Sequence, residues 1–313
     1  MAILSRPTST PARSRLAQLI ARHPLVSYFA LAYALSWGLV SPMTFSRNIG
    51  IGLLPYDLPD ALGMALFILA SLIGPNVAAL VVTALTDGRA GVRALLRRIV
   101  QWRVRPQWYL VALLANLVIW TLAYSTVLGP GLLAAAATHW PLLVTAFLPS
   151  VALGLLIPSI GEEPGWRGFA LPRLQARYGP VGASIILGLL HGLWHLPALG
   201  TMMLGPVSLA EIPPFVLTAT AATFIYTWIF NHTGGSVLLA MLTHAAGNAA
   251  SQWLGLLLKQ SGLDAPQPGL TGWLIDSGWF NTLAYGLVAV ALVAATRGRL
   301  GRRTSDATSA DPT

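Results

Sequence analysis

The feature that most constrains this chain is a series of apolar runs, each close to the length that crosses hydrocarbon, separated by short polar gaps. The runs lie near Pro24–Phe45, Leu62–Thr86, Trp108–Leu128, Pro141–Ile160, Val181–Met203, Phe215–Phe230, Val237–Leu258 and Trp279–Ala295. A spanning helix needs ~20 mostly apolar residues, and backbone groups in lipid must be satisfied within the segment, so these runs read as helices. Of the 313 residues 55% are hydrophobic and only 9% charged, whereas a soluble domain carries roughly 25% charge. The expected class is therefore all-α: a polytopic integral membrane protein with about eight transmembrane helices.

Arginine placement gives the orientation. Arg6, Arg13, Arg15 and Arg22 precede the first run, and Arg89, Arg93, Arg97, Arg98, Arg103 and Arg105 fill the second gap. Arg173 and Arg177 fill the fourth, and Arg297, Arg299, Arg302 and Arg303 follow the last run. The intervening gaps hold only Arg47 and Lys259, with the acids Asp57, Asp60, Glu211, Asp264 and Asp276. This alternation is the positive-inside pattern and predicts both termini in the cytoplasm. The net charge of +9 is then a topology signal facing anionic lipid, and no nucleic-acid partner is expected. With no cysteine, disulfides and thiolate metal sites are excluded. Usage rich in Ala, Arg and Leu points to a bacterial plasma membrane.

The organisation follows from these gaps. Residues 1–22 read as a disordered cytoplasmic N-terminus, followed by an uncleaved first helix and not a signal peptide. Residues 23–140 form an N-terminal transmembrane region, with a basic amphipathic segment near 89–105 suited to the inner leaflet. Residues 141–258, spanning runs four to seven, carry the chemistry. Residues 259–296 hold a loop and the last span, and 297–313 a basic cytoplasmic tail.

An ionisable group at membrane depth is a functional hypothesis, because burying it in hydrocarbon costs several kcal/mol. Three places qualify: Gly161-Glu162-Glu163-Pro164-Gly165-Trp166-Arg167 at the cytoplasmic end of run four, His191-Gly192-Leu193-Trp194-His195 in run five, and His244-Ala245-Ala246-Gly247-Asn248 in run seven. Adjacent helical residues point about 100° apart, so Glu162 and Glu163 have different tasks. Glu163 lies four before Arg167, the ion-pair spacing on one helix face, which leaves Glu162 to face a cavity. Pro164 biases Glu163 away from helical geometry, so a break is expected there. The bland alternative is a Glu–Arg clamp without chemistry, which accounts for one acid but not two. His191 with His195, and His244 with Asn248, each share a face. A lone His pair in an apolar helix more often hydrogen-bonds between helices than holds a metal. Convergence of the three places in one cavity, reaching in from the cytoplasm, is the expectation.

With these motifs in this order, the chain resembles the CPBP family of intramembrane proteases, which includes CAAX prenyl endopeptidases and bacteriocin-processing or immunity proteins. The family pattern is Glu-Glu-x-x-x-Arg, Phe-x-x-x-His and His-x-x-x-Asn on separate helices. Glu162-Glu163 with Arg167 fits the first, His195 the second, and His244 with Asn248 the third. His191 stands where the family has an aromatic residue. The resemblance implies an intramembrane endopeptidase acting on a membrane-associated protein or peptide. Glu162 would be the general base on a water that His195 positions, directly or through a metal. His244 and Asn248 would stabilise the oxyanion, with Glu163 and Arg167 in support. Zinc is the candidate cofactor, with Glu162, His195, His244 and His191 as candidate ligands; a metal-free glutamate mechanism is also compatible. The rival classes are a proton- or ion-coupled transporter and a non-catalytic immunity or scaffold protein.

Overall fold

The computed structural model describes residues 14–201 and 208–302. Thirteen α-helices follow in chain order among the described residues: α1 Arg15–Arg22, α2 Pro24–Phe45, α3 Asp60–Thr86, α4 Gly88–Ile99, α5 Gln107–Leu128, α6 Gly131–Thr138, α7 Leu148–Gly154, α8 Ile160–Glu163, α9 Leu171–Trp194, α10 Ile212–His232, α11 Val237–Ser261, α12 Gly269–Asp276 and α13 Trp279–Ala295. No strand occurs among them. Three π-helical turns, Leu143–Phe147, Leu155–Ser159 and Pro164–Ala170, join α7, α8 and α9. The fold is an all-α polytopic membrane bundle.

Each of the eight apolar runs falls largely on helix among the described residues, run five leaving helix after Ala198. Five helical stretches are long and apolar enough to cross a membrane, or six if the pair α12 and α13, bent by 81°, is one broken span. One of the five is the stretch Leu143–Ala198, 56 residues long. At 1.5 Å per residue it would reach about 84 Å, far beyond a ~30 Å hydrocarbon core. It therefore doubles back, and it does so at Gly179, whose φ of 69° is left-handed backbone that favours glycine. α11 is 25 residues long; His244, Asn248, Ser251, Gln252 and Lys259 make it more polar than the five.

Three expectations need correction. The helix of run four does not stop near Ile160. It continues through α8, the third π-turn and the start of α9 to the bend at Gly179, so the two glutamates lie within it and not at its cytoplasmic end. Residues 15–22 are helical, because Ser14 Oγ accepts from Ala17 N at 3.3 Å to cap them and Ile20 packs on the core. The loop after α11 contains α12. Arg6, Arg13, Met203, Arg303 and the rest of the tail lie outside the described residues.

At the arginine-rich end, α4 and its loop cover the third π-turn and the α10–α11 connection. α4 follows α3 across a single residue and turns its basic face outward, while Leu95 inserts into the core. Arg98 Nη1 donates to Gly168 O at 2.9 Å, Gln101 Nε2 to Thr233 O at 2.9 Å, and Ser236 Oγ to Gln101 O at 2.7 Å. Arg173 meets Asp87 at 2.5 Å. These bonds tie α4 and its following loop to the third π-turn and to the α10–α11 connection. Beneath them Tyr28, Trp166 and Phe169 form an aromatic core, with Tyr28 and Phe169 centroids 4.7 Å apart.

Candidate active site

The two glutamates share one turn but bind different partners. Glu163 φ and ψ are −64° and −33°, so Pro164 does not break the helix; a π-turn runs from Pro164 to Ala170, a distortion common at functional sites. Gly165 permits this helix to press on α3: a Cβ there would come within 2.6 Å of Pro75 O and of Tyr28 Oη. Glu163 Oε1 takes Arg167 Nη1 at 3.0 Å and His244 Nδ1 at 2.8 Å, with the acid and the arginine both fully buried. Arg167 also lies over the ring of Tyr226, 4.2 Å from its centroid, and its Nη2 reaches Thr223 Oγ1 at 3.4 Å.

Glu162 faces the other way. Its Oε2 meets His191 Nε2 at 2.9 Å. Arginine only donates, so His191 Nδ1, 3.4 Å from Arg167 Nη1, accepts, and in the neutral ring Nε2–H donates to Glu162. His195 closes α9 and donates from Nδ1 to the His191 carbonyl at 2.9 Å. That bond fixes the tautomer and leaves the Nε2 lone pair free.

Among the described residues, one set of potential ligands meets the requirement for a metal: Glu162, His191 and His195, whose ligand atoms all lie within 4.8 Å of one another. Two imidazoles and a carboxylate suit zinc with an open fourth position. The set fits, with one competition: ligation through His191 Nε2 would move its proton to Nδ1, against the Arg167 donor. Of the four candidate ligands read from the sequence, His244 is not in this set, because Glu163 holds it.

The structure thus brings Glu162, Glu163, Arg167, His191, His195 and His244 together, the His191 and His244 rings lying 6.4 Å apart. The side chain bonded to Glu162 is His191, at the position where the sequence departs from the family pattern, and not His195. Asn248 stands apart. It is exposed one turn beyond His244 and lines a cavity of about 550 Å³ with Asn116, Trp120, Phe215, Tyr226 and Tyr285. Phe215 and Tyr226 form the wall between cavity and cluster, for the Phe215 ring is 5.6 Å from His195 and the Tyr226 ring 6.4 Å from His244. Sequence reading passed over both, since aromatics in an apolar run look like packing; the hydroxyl of Tyr226 in mid-span was the available signal.

The cavity does not reach toward the arginines, contrary to expectation. Its outer lining is Glu211, Asp276, Ser277 and Gly278, from the gaps poor in basic residues.

Residues 144–250 match the family of type II CAAX prenyl endopeptidases, Rce1-like. A stretch of 117 residues, 36% of the chain, is 32% identical to CAAX prenyl protease 2 of Methanococcus maripaludis and covers 43% of that relative. All six clustered side chains lie inside the matched segment. That segment, about a third of the chain, is similar to this family of endopeptidases. Glu162-Glu163 with Arg167, His195, and His244 with Asn248 sit on the π-wound helix, α9 and α11, and the match spans less than half of the relative's length.

Proposed function

We propose that this protein is an intramembrane endopeptidase that hydrolyses a peptide bond of a membrane-associated protein or peptide by glutamate-activated water. The observation that carries the reading is the buried Glu162 carboxylate, held by His191 at 2.9 Å beside His195 and one residue from a separate Glu163–Arg167–His244 clamp. A clamp alone would use a single acid. Here the second acid has its own histidine partner, His191, and the free imidazole nitrogen of His195 nearby.

In this reading Glu162 takes a proton from water as hydroxide adds to the scissile carbonyl carbon. His195 Nε2 orients that water. The tetrahedral oxyanion forms where low dielectric strengthens hydrogen bonds, and His244 with Asn248 stabilises it. Glu162 then passes its proton to the departing amide nitrogen, the C–N bond breaks, and a carboxylate and an amine leave. Glu163 and Arg167 fix His244 and hold the helix turn. Glu162, His191 and His195 would hold zinc, which when bound would polarise the carbonyl and acidify the water. The setting we propose is a bacterial plasma membrane with both termini cytoplasmic.

Glu162→Gln tests the reading. Against quenched-fluorescence peptides, reconstituted protein should lose about 10²–10⁴-fold in turnover while its thermal midpoint stays near wild type. Undiminished cleavage would remove the general base. Metal analysis set against activity after chelation decides the zinc arm: full activity in metal-free protein ends it.

A further inference from the structure

We infer that the active site is loaded from the arginine-poor face of the membrane, by an extended, unlipidated polypeptide lying along α11. The inference rests on the endopeptidase reading for the cleavage step, but not for the route.

Two observations at opposite ends of the bundle carry the route. At the arginine-rich end, α4 and its loop lie over the cluster, bonded to Gly168, Thr233 and Ser236. The side chain of Leu95 packs on Gly168, 2.7 Å from where a Cβ would stand. At the other end the cavity of about 550 Å³ runs inward from Glu211, Asp276 and Ser277 to Asn116, Tyr226 and Asn248. Its inner wall is one aromatic ring thick at Phe215, against His195. The positive-inside pattern puts the covered end in the cytoplasm, so the open end faces outward.

The lining carries the substrate class. His244, Asn248 and Ser251 recur at helical spacing on one face of α11. Asn248 and Ser251 are exposed and line the cavity, and their side chains make no hydrogen bond among the described residues. From His244 to Ser251 the helix rises about 10 Å, the length of about three residues of extended chain at ~3.3 Å each. A polypeptide backbone offers one donor and one acceptor per residue to such a wall. An isoprenoid chain offers neither, and would strip water from Asn248 and Ser251 without replacing it. The facing wall, Phe215, Ala219 and Ala222 of α10, takes side chains.

The chain has no cysteine, so single-cysteine variants report access without background. Asp276→Cys marks the mouth, Ser251→Cys the interior, and Arg93→Cys the covered end. In intact bacteria a membrane-impermeant maleimide should label the first two, and Arg93→Cys only after permeabilisation. Any result in which Ser251→Cys does not follow Asp276→Cys and oppose Arg93→Cys overturns the route. In sealed proteoliposomes of known orientation, unlipidated peptide supplied on the Asp276 side should be cleaved, with loss of cleavage when Ser251→Cys is labelled. Cleavage only from the Arg93 side, or only of prenylated peptide, overturns the inference. Labelling as expected with no peptide cleaved from either side would leave the route standing and sink the endopeptidase reading instead.

Discussion

The two ends of this bundle are built on opposite principles. At the arginine-rich end, side chains donate to carbonyls of other elements: Arg98 to Gly168, Gln101 to Thr233, Ser236 to Gln101. At the acidic end, polar side chains of α11 face a cavity and satisfy nothing in the protein. The first pattern contributes stability, since each partly buried bond removed leaves an unpaired group. The second contributes little to folding and is free to bind. Between them lies the clamp of Glu163, Arg167 and His244, which belongs energetically to the covered end and chemically to the open one.

That division can be broken by substitution. Arg167→Ala strands Glu163 and His244 in a dry interior and should destabilise by about 3–5 kcal/mol, seen as a large drop in thermal midpoint in detergent, with cleavage lost. A stable Arg167→Ala protein would show that the clamp is not structural. Leu95→Ala removes the side chain packed beneath α4 and should cost about 2–3 kcal/mol, while making a cysteine placed beneath α4 easier to label. If stability holds, α4 merely lies on the lipid. Ser251→Ala, at the open end, should shift stability by less than about 0.5 kcal/mol yet raise KM, and a stability loss as large as that of Leu95→Ala would erase the distinction between the ends.

The smallest effect is expected in the loop between α2 and α3, where Arg47 Nε donates to Asp57 Oδ1 at 2.9 Å on the exposed surface. The guanidinium holds the Asp57 carboxyl below the usual carboxylate range. A folded pKa below the unfolded one gives a contribution present above the unfolded value of about 4 and lost as pH falls through the folded value. Thermal midpoints of wild type and Asp57→Asn, compared from neutral to acid pH, should converge at low pH. Divergence on acidification would contradict the pairing.

The long helices were legible because uninterrupted apolar runs leave the backbone no alternative in lipid. α2 and α13 begin and end where the sequence places them, between Pro24 and Phe45 and between Trp279 and Ala295. The Glu163–Arg167 pair was legible too, because it is a spacing within one helix. The pairing of Glu162 with His191 was not, since it depends on how two helices are rotated against each other. α1 and α12 are short, and no run of spanning length announced them. Nor does the apolar pattern record that run four winds on through π-turns to Gly179.

Those π-turns have a consequence of their own. Each accommodates an additional residue within a continuous helix, so everything after it is turned relative to an undisturbed α-helix. Glu162 follows two of them and Arg167 lies in the third. Removing a single residue from 155–159 and restoring regular winding would swing both carboxylates by about 100°, carrying Glu162 off His191 with every side chain of the cluster still encoded. In this helix, aim is set by residue count as much as by residue type.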